Sequence, residues 1–343
     1  MWIRSEVRQT ERRAPIVPAD AGWLTSQGLV LTVEESPHRT FPVSDYAAAG
    51  CRIAPAGSWP GAPTGEYIIG LKELPEQPAA LAHRHIYFGH AYKGQRGACQ
   101  LLHRFAAGGG ALLDLESLVD ANGRRLAAFG FWAGYAGAAL AILHAKGRLP
   151  GPLRPVSKEA LDAALRATRD GSQPRVLVVG ALGRCGRGAR SALELAGITP
   201  TCWDIEETRY LDTAALLGHD ILVNAILATD PVSPLMRRAD LDDAARRLTL
   251  VADITCDVTS DFNALPIYDA ATSWRQPVRR LRDGSQPLDI IAIDNLPSLV
   301  PREASADFSA QLAPHLMELG SAAPAWRRCL HSFAEALQST TVD

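Results

Sequence analysis

Val176-Leu-Val-Val-Gly180-Ala-Leu-Gly183-Arg-Cys-Gly186 is the stretch that decides the fold. Its aliphatic run predicts a buried strand, its glycines a tight turn, and the residues from Arg184 onward a helix. Without side chains in the turn, backbone N–H groups can close on a pyrophosphate, which then lies at the positive end of the helix. The spacing is G-x-x-G-x-x-G, a departure from the commoner fingerprint, and a purely structural turn would also use glycine. A nucleotide is favoured by the next predicted strand, Thr201-Cys-Trp-Asp204. It ends in an acid roughly 20 residues beyond the turn, where a carboxylate accepts hydrogen bonds from an adenosine ribose. The same acid repels the extra phosphate of NADP, so the expected cofactor is NAD, held by Gly180, Gly183, Arg184, Cys185, Gly186 and Asp204.

Around this unit, apolar segments alternate with helix-like stretches, which argues for an α/β protein with parallel sheets. Further strands are expected at Leu29–Val33, Arg52–Ala54, Tyr67–Gly70, Asp220–Ala225, Leu248–Asp253 and Asp289–Ile293. Phe129–Leu143 is too rich in alanine and too long for a strand, so a helix is predicted. In it, Gly130, Gly134 and Ala138 recur every four residues, leaving room for another helix or a ligand. The segment from Ala304 to Leu337 is helical in composition and is expected to pack back on the first domain. The domains are therefore placed at 1–128 plus 304–343 for the substrate and 129–303 for NAD.

With 343 residues the chain can bury two cores, and a net charge of -2 supplies no field for gathering nucleic acid or anionic lipid. The first residues do not read as a signal peptide, and no apolar run reaches membrane-spanning length, so a cytoplasmic enzyme without membrane or nucleic-acid partners is expected. Small molecules, and a monomer or small homo-oligomer, remain as partners. Six widely spaced cysteines read as reduced thiols, with none of the close pairs of a zinc or redox motif.

Polar chemistry collects in the first domain. Arg4, Glu6, Arg8, Glu11, Arg12 and Arg13 fit either a solvated surface or arginine forks that bind carboxylates bidentately. Lys72-Glu73 closes an apolar strand, and the histidines of His83-Arg-His-Ile-Tyr-Phe-Gly-His90 follow. His83, His85 and His90 lack a cysteine or acid that completes a ligand set, so no metal is expected. A lysine and a histidine on neighbouring strand ends suit proton transfer, since burial and nearby charge tune both toward neutral pH. A simple surface ion pair is the other reading of Lys72 and Glu73.

Dispersed, ordered stretches then connect these residues to a family. Ile69-Gly-Leu-Lys-Glu-Leu-Pro75, Phe88-Gly-His-Ala-Tyr-Lys93, Asp114-Leu-Glu116, Gly123-Arg-Arg125, Phe129-Gly-Phe131, Gly180–Gly186 and Ile293-Asp-Asn-Leu-Pro-Ser-Leu-Val-Pro-Arg-Glu-Ala304 resemble saccharopine dehydrogenases of the fungal, lysine-forming type. The resemblance spans almost the whole chain. It implies two Rossmann-like domains with a cleft between them, and NAD-dependent oxidation of saccharopine to lysine and 2-oxoglutarate, with the reverse condensation. Lys72 resembles the family's amine-deprotonating base and His90 its acid-base group for hydration of the imine. Glu73 and Glu116 resemble acids that modulate this pair. Substrate contacts are implied at Arg8, Arg13, Lys93, Arg125 and Phe129, and cofactor contacts at Asp294 and Leu296. The chain departs from the family at Arg8, which stands in place of a lysine, and at Val223-Asn-Ala-Ile226, which has no cysteine to pair with Cys185. Two alternatives remain open: an alanine- or opine-type dehydrogenase on the same scaffold, and a nucleotide-binding regulator without turnover.

Overall fold

A computed structural model describes the chain except at residues 93–96, 227, 229–231, 257, 259–261, 322 and 341–343. The chain divides into two compact units: Met1–Ala128 with Pro301–Asp343, and Phe129–Val300. The return to unit 1 begins at Pro301, where the sequence suggested 304, because a helix opens there. Proline suits a first helical position, where its missing N–H costs no intrahelical bond.

Unit 1 is built on β1 (Trp2–Ile3), β2 (Thr32–Glu34), β3 (Arg52–Ala54), β4 (Tyr67–Ile69), β5 (Arg84–Tyr87) and β6 (Ala111–Asp114). All are parallel, in the order β3-β2-β1-β4-β5-β6. Chain direction across the sheet reverses between β1 and β4, the place where open α/β sheets bind ligands beyond their carboxyl ends. The strands are short and doubly covered, so Ile3, Val33, Ile68, Ile69, Ile86 and Leu112 are wholly buried. Helices α1 (Pro18–Ser26), α2 (Val43–Ala48) and α3 (Ala98–Gly108) lie between strands.

Unit 2 contains α4 (Gly130–Ala145), α5 (Lys158–Arg166), β7 (Val176–Val179), α6 (Arg184–Leu195), β8 (Thr201–Trp203), α7 (Ile205–Arg209), α8 (Thr213–Leu217), β9 (Ile221–Asn224), β10 (Leu250–Asp253), β11 (Arg279–Arg282) and β12 (Leu288–Ile291). Its order is β11-β12-β10-β9-β7-β8. The exception to the expected parallel arrangement is β11, antiparallel to β12. Only antiparallel neighbours can be joined by so short a return, and the charged Arg279-Arg-Leu-Arg282 suits a sheet edge. The small residues of α4 admit a helix: a Cβ on Gly134 would stand 1.8 Å from the Cys185 carbonyl oxygen of α6. That close packing anchors the first turn of α6 against α4.

The C-terminal segment forms two helices, α9 (Pro301–Leu316) and α10 (Pro324–Thr340). On α9, Ser305 and Ser309 accept hydrogen bonds from Ala14 N and Val17 N at 2.9 and 3.0 Å. Phe333 of α10 meets Phe105 of α3 edge to face at 5.6 Å between ring centres. This is an apolar seam of the kind that contributes about 1 kcal/mol beyond area burial.

Candidate active site

In unit 1 the candidate groups stand just past the carboxyl ends of four adjacent strands: Glu6 after β1, Lys72 and Glu73 after β4, His90 after β5, and Glu116 after β6. Parallel pairing makes this a consequence of topology, because every strand delivers its following loop to the same edge. Glu6 accepts Leu71 N at 2.7 Å and Lys72 N at 3.0 Å. Burial pushes the Glu6 carboxyl above its ordinary range, against the pull of the Arg4 guanidinium and those two N–H groups. Glu73 is clamped by Arg8, whose Nε and Nη2 donate at 3.0 and 3.1 Å. Partial burial works upward on the Glu73 carboxyl, but the Arg8 fork and the Lys72 charge outweigh it and hold it low. Arg13 turns its Nε and Nη2 onto buried Glu11, at 2.8 and 2.6 Å.

His90 has a left-handed backbone, φ 49°. This conformation is uncommon for a residue with a side chain and is concentrated at functional sites. Asp114 holds it there from below, accepting the backbone N–H groups of Gly89 and His90 together with Glu116 N at 2.9 Å. Burial pushes the Asp114 carboxyl up to about 7, opposed by these hydrogen bonds. The His90 Nδ1 lies 3.5 Å from Glu116 Oε1, and the same oxygen accepts Arg125 Nη2 at 3.1 Å. An acid facing Nδ1 orients the ring, and the arginine shares that acid. Lys93 lies outside the described residues. His83 and His85 point into the core instead: His83 Nε2 meets Ala62 O at 2.9 Å, and His85 packs edge-on to Trp59 and Phe105.

In unit 2, Gly180 adopts φ 80°, and a Cβ on Gly186 would fall 2.2 Å from Gly180 O and 2.5 Å from Ala181 Cα. The turn is therefore closed by backbone alone. Gly183 precedes α6 without a side-chain cap, and an uncapped helix N-terminus suits phosphate oxygens. Asp204 caps α7 and also accepts Leu182 N from the glycine turn at 2.9 Å. Leu182 and Ile205, whose N–H groups Asp204 accepts, are 66% and 70% exposed, an apolar rim beside an acid that suits a purine on its ribose. These features fit a dinucleotide. Asp294 is exposed beyond β12. Phe129 and Leu296 are buried, Leu296 against Gly137 of α4. Cys185 is a half-buried free thiol, pushed up to about 12 by its desolvation.

Sequence reading assigned no role to Glu6 or Asp114. Each is an acid within three residues of a strand end, and the signal was present, but their partners are backbone groups of other loops, which no spacing reveals.

Residues 2–136 match the family model described as alanine dehydrogenase/PNT, N-terminal domain. The chain is 41% identical to the saccharopine dehydrogenase (NAD(+), L-lysine-forming) of Neurospora crassa, a match covering 98% of this chain and 95% of that one. It is 40% identical to the protein of the same name from Candida glabrata, over 96% and 94% of the two chains. Among solved structures, an L-alanine dehydrogenase shares the fold with a TM-score of 0.70 at 15% identity, covering 100% of this chain and 99% of that one.

Proposed function

The chain belongs to the L-lysine-forming, NAD-dependent saccharopine dehydrogenase family, and we propose that it oxidises saccharopine to L-lysine and 2-oxoglutarate and catalyses the reverse condensation. The observation that carries this reading is the set of proton-transfer groups at one sheet edge of unit 1: Lys72 after β4, and His90 with Glu116 after β5 and β6. NAD, when bound by Gly180, Gly183, Arg184, Gly186 and Asp204, supplies the acceptor for the hydride.

Neutral Lys72 removes the proton of the substrate's secondary ammonium, because only an amine with a free lone pair can form C=N as the C–H bond is broken. Arg8 keeps Glu73 ionised and turned to itself, so the carboxylate tempers the charge beside Lys72 without taking its proton. His90, oriented by Glu116, draws a proton from water as the water's oxygen bonds to the imine carbon. It then returns that proton to nitrogen as the C–N bond breaks, and takes the hydroxyl proton as the C=O bond forms, leaving amine and ketone. Arg13 and Arg125 supply cationic groups for the substrate carboxylates.

No helix among the described residues is long and apolar enough to cross a membrane. We place the enzyme in the cytoplasm as a monomer or small homo-oligomer acting on small molecules. The test is NADH formation from NAD and a panel of saccharopine, alanine and opines. Saccharopine should be turned over with the highest kcat/KM, and turnover of alanine or an opine alone would overturn the substrate.

A further inference from the structure

Arg4 and Glu6 form a buried ion pair, Nη1 to Oε2 at 3.3 Å, with side chains 1% and 6% exposed. Such a pair is weak support for a fold, since the cost of removing two charges from water offsets their attraction. This one is also imperfect: Arg4 Nε has no hydrogen-bond partner among the described residues. A core selected for stability alone would replace it with apolar side chains, and unsatisfied buried polar atoms collect where function constrains the residue.

The contacts of the pair lead to one peptide. Glu6 takes Lys72 N at 3.0 Å and Leu71 N at 2.7 Å, while Arg4 Nη2 donates to the Lys72 carbonyl. Lys72 is thus gripped at both its N–H and its C=O. Gly70 is what lets the guanidinium lie there, for a Cβ at that position would stand 2.4 Å from Arg4 Nε and 2.5 Å from its Cζ. On the other side the guanidinium faces the Tyr87 ring at 5.6 Å, and Arg39 Nη2 donates to Arg4 O at 3.1 Å.

We propose that the Arg4–Glu6 pair is the positioning device for Lys72: it fixes the peptide that carries the base and acts on the reaction only through it. The proposal rests on Lys72 being the amine-deprotonating base. A charged bracket suits this task because it holds both ends of a peptide at the end of a short strand, where no ladder partner remains.

The test is a double-mutant cycle between Glu6→Gln and Lys72→Met in the full-length enzyme. Gln keeps the volume of Glu but offers one acceptor where two N–H groups need one each. Glu6→Gln should lower kcat about 10²-fold, the scale of a 1 Å misplacement, and shift the lysine limb of the pH–rate profile. The KM for NAD should not change. In the Lys72→Met background the same substitution should cost nothing further. Arg4→Lys, which keeps the cation and loses the fork, should repeat the pattern. Turnover within twofold of the parent in Glu6→Gln, or a full additional loss in the Lys72→Met background, overturns the proposal. Loss of fold in both Glu6→Gln and Arg4→Lys, read from circular dichroism and melting, would make the pair a structural strut and overturn it as well. Full activity in Lys72→Met itself would defeat the base assignment instead, and so separates the two failures.

Discussion

At the end of the second strand of each unit stands an acid that reaches back to the loop after the first strand. Glu34 accepts Ser5 N at 2.7 Å, and Asp204 accepts Leu182 N at 2.9 Å. In unit 1 the acid is fully buried and accepts four further groups, Ser5 Oγ, Trp2 Nε1, Gly57 N and Trp59 N, at 2.9, 3.0, 2.9 and 2.6 Å. In unit 2 it stands half exposed beside exposed Leu182 and Ile205. One topological position is therefore a buried strut in one unit and a surface acid in the other. The difference lies in what covers it: the Gly57–Trp59 turn closes over Glu34, whereas Asp204, held by Leu182 N and Ile205 N, stays half exposed. The loop after β1 carries side chains, Arg4 and Glu6, where the loop after β7 presents glycine backbone. Similar sheets thus present ionisable side chains at one edge and bare glycine backbone at the other.

The contrast breaks most plainly if acid-base groups can be lost without cost. Lys72→Met should lower turnover about 10²- to 10⁴-fold while NAD affinity, which we assign to unit 2, stays within twofold. His90→Gln should fall in the same range, with deuterium on the oxidised carbon showing a masked isotope effect because imine hydrolysis is then the slow step. Near-normal turnover in both would make the unit 1 edge structural.

Acid should act on unit 1 before unit 2, through His85. Burial holds that imidazole at about 3 against an ordinary 6.5. Because the folded value is depressed, the unfolded chain takes up the proton first as pH falls. Stability is therefore full above 6.5 and lost progressively toward 3, by about 3 kcal/mol at about pH 4. Hydrogen exchange should show β5 opening before β7 over this range, and His85→Leu should abolish that difference. Equal acid response of the two strands in the parent would rule the imidazole out as the cause.

For the cradle, Gly186→Ala puts a methyl against backbone that cannot yield as a side chain can. The turn must open, and NAD should bind about 10- to 100-fold more weakly, the scale of an overpacked site, with melting of unit 1 unchanged. Asp204→Ala carries the smallest expected effect, a roughly tenfold narrowing of the preference for NAD over NADP, from loss of charged hydrogen bonds to ribose. Titration of both dinucleotides decides it, and an unchanged ratio would move the discrimination elsewhere.

Much of this molecule was legible in its residues. The strand, turn and helix at Val176–Leu195, the strands at β3, β4, β9 and β10, and the helical character of α4 follow from periodicity and composition acting over a few residues. Strand β6 was not anticipated, since Ala111-Leu-Leu-Asp114 is too short to separate from a helix by pattern. Nor was antiparallel β11, whose Arg279-Arg-Leu-Arg282 carries more charge than apolar surface.

The sequence by itself determined which chemical groups the protein owns and the local turns that carry them: a glycine cradle before α6, an acid after β8, a lysine and a histidine after apolar strands. Tertiary structure alone decided their employment. It placed Glu6 on the Lys72 peptide across 66 residues of chain and Arg8 on Glu73 across 65. It also sent His85 into the core and buried Phe129 and Leu296, while His90, five residues from His85, stands at the sheet edge. The physical reason is range: backbone preference and periodicity act within a few residues, whereas a carboxylate's partner depends on which strands lie side by side. That order is set by the packing of the whole sheet.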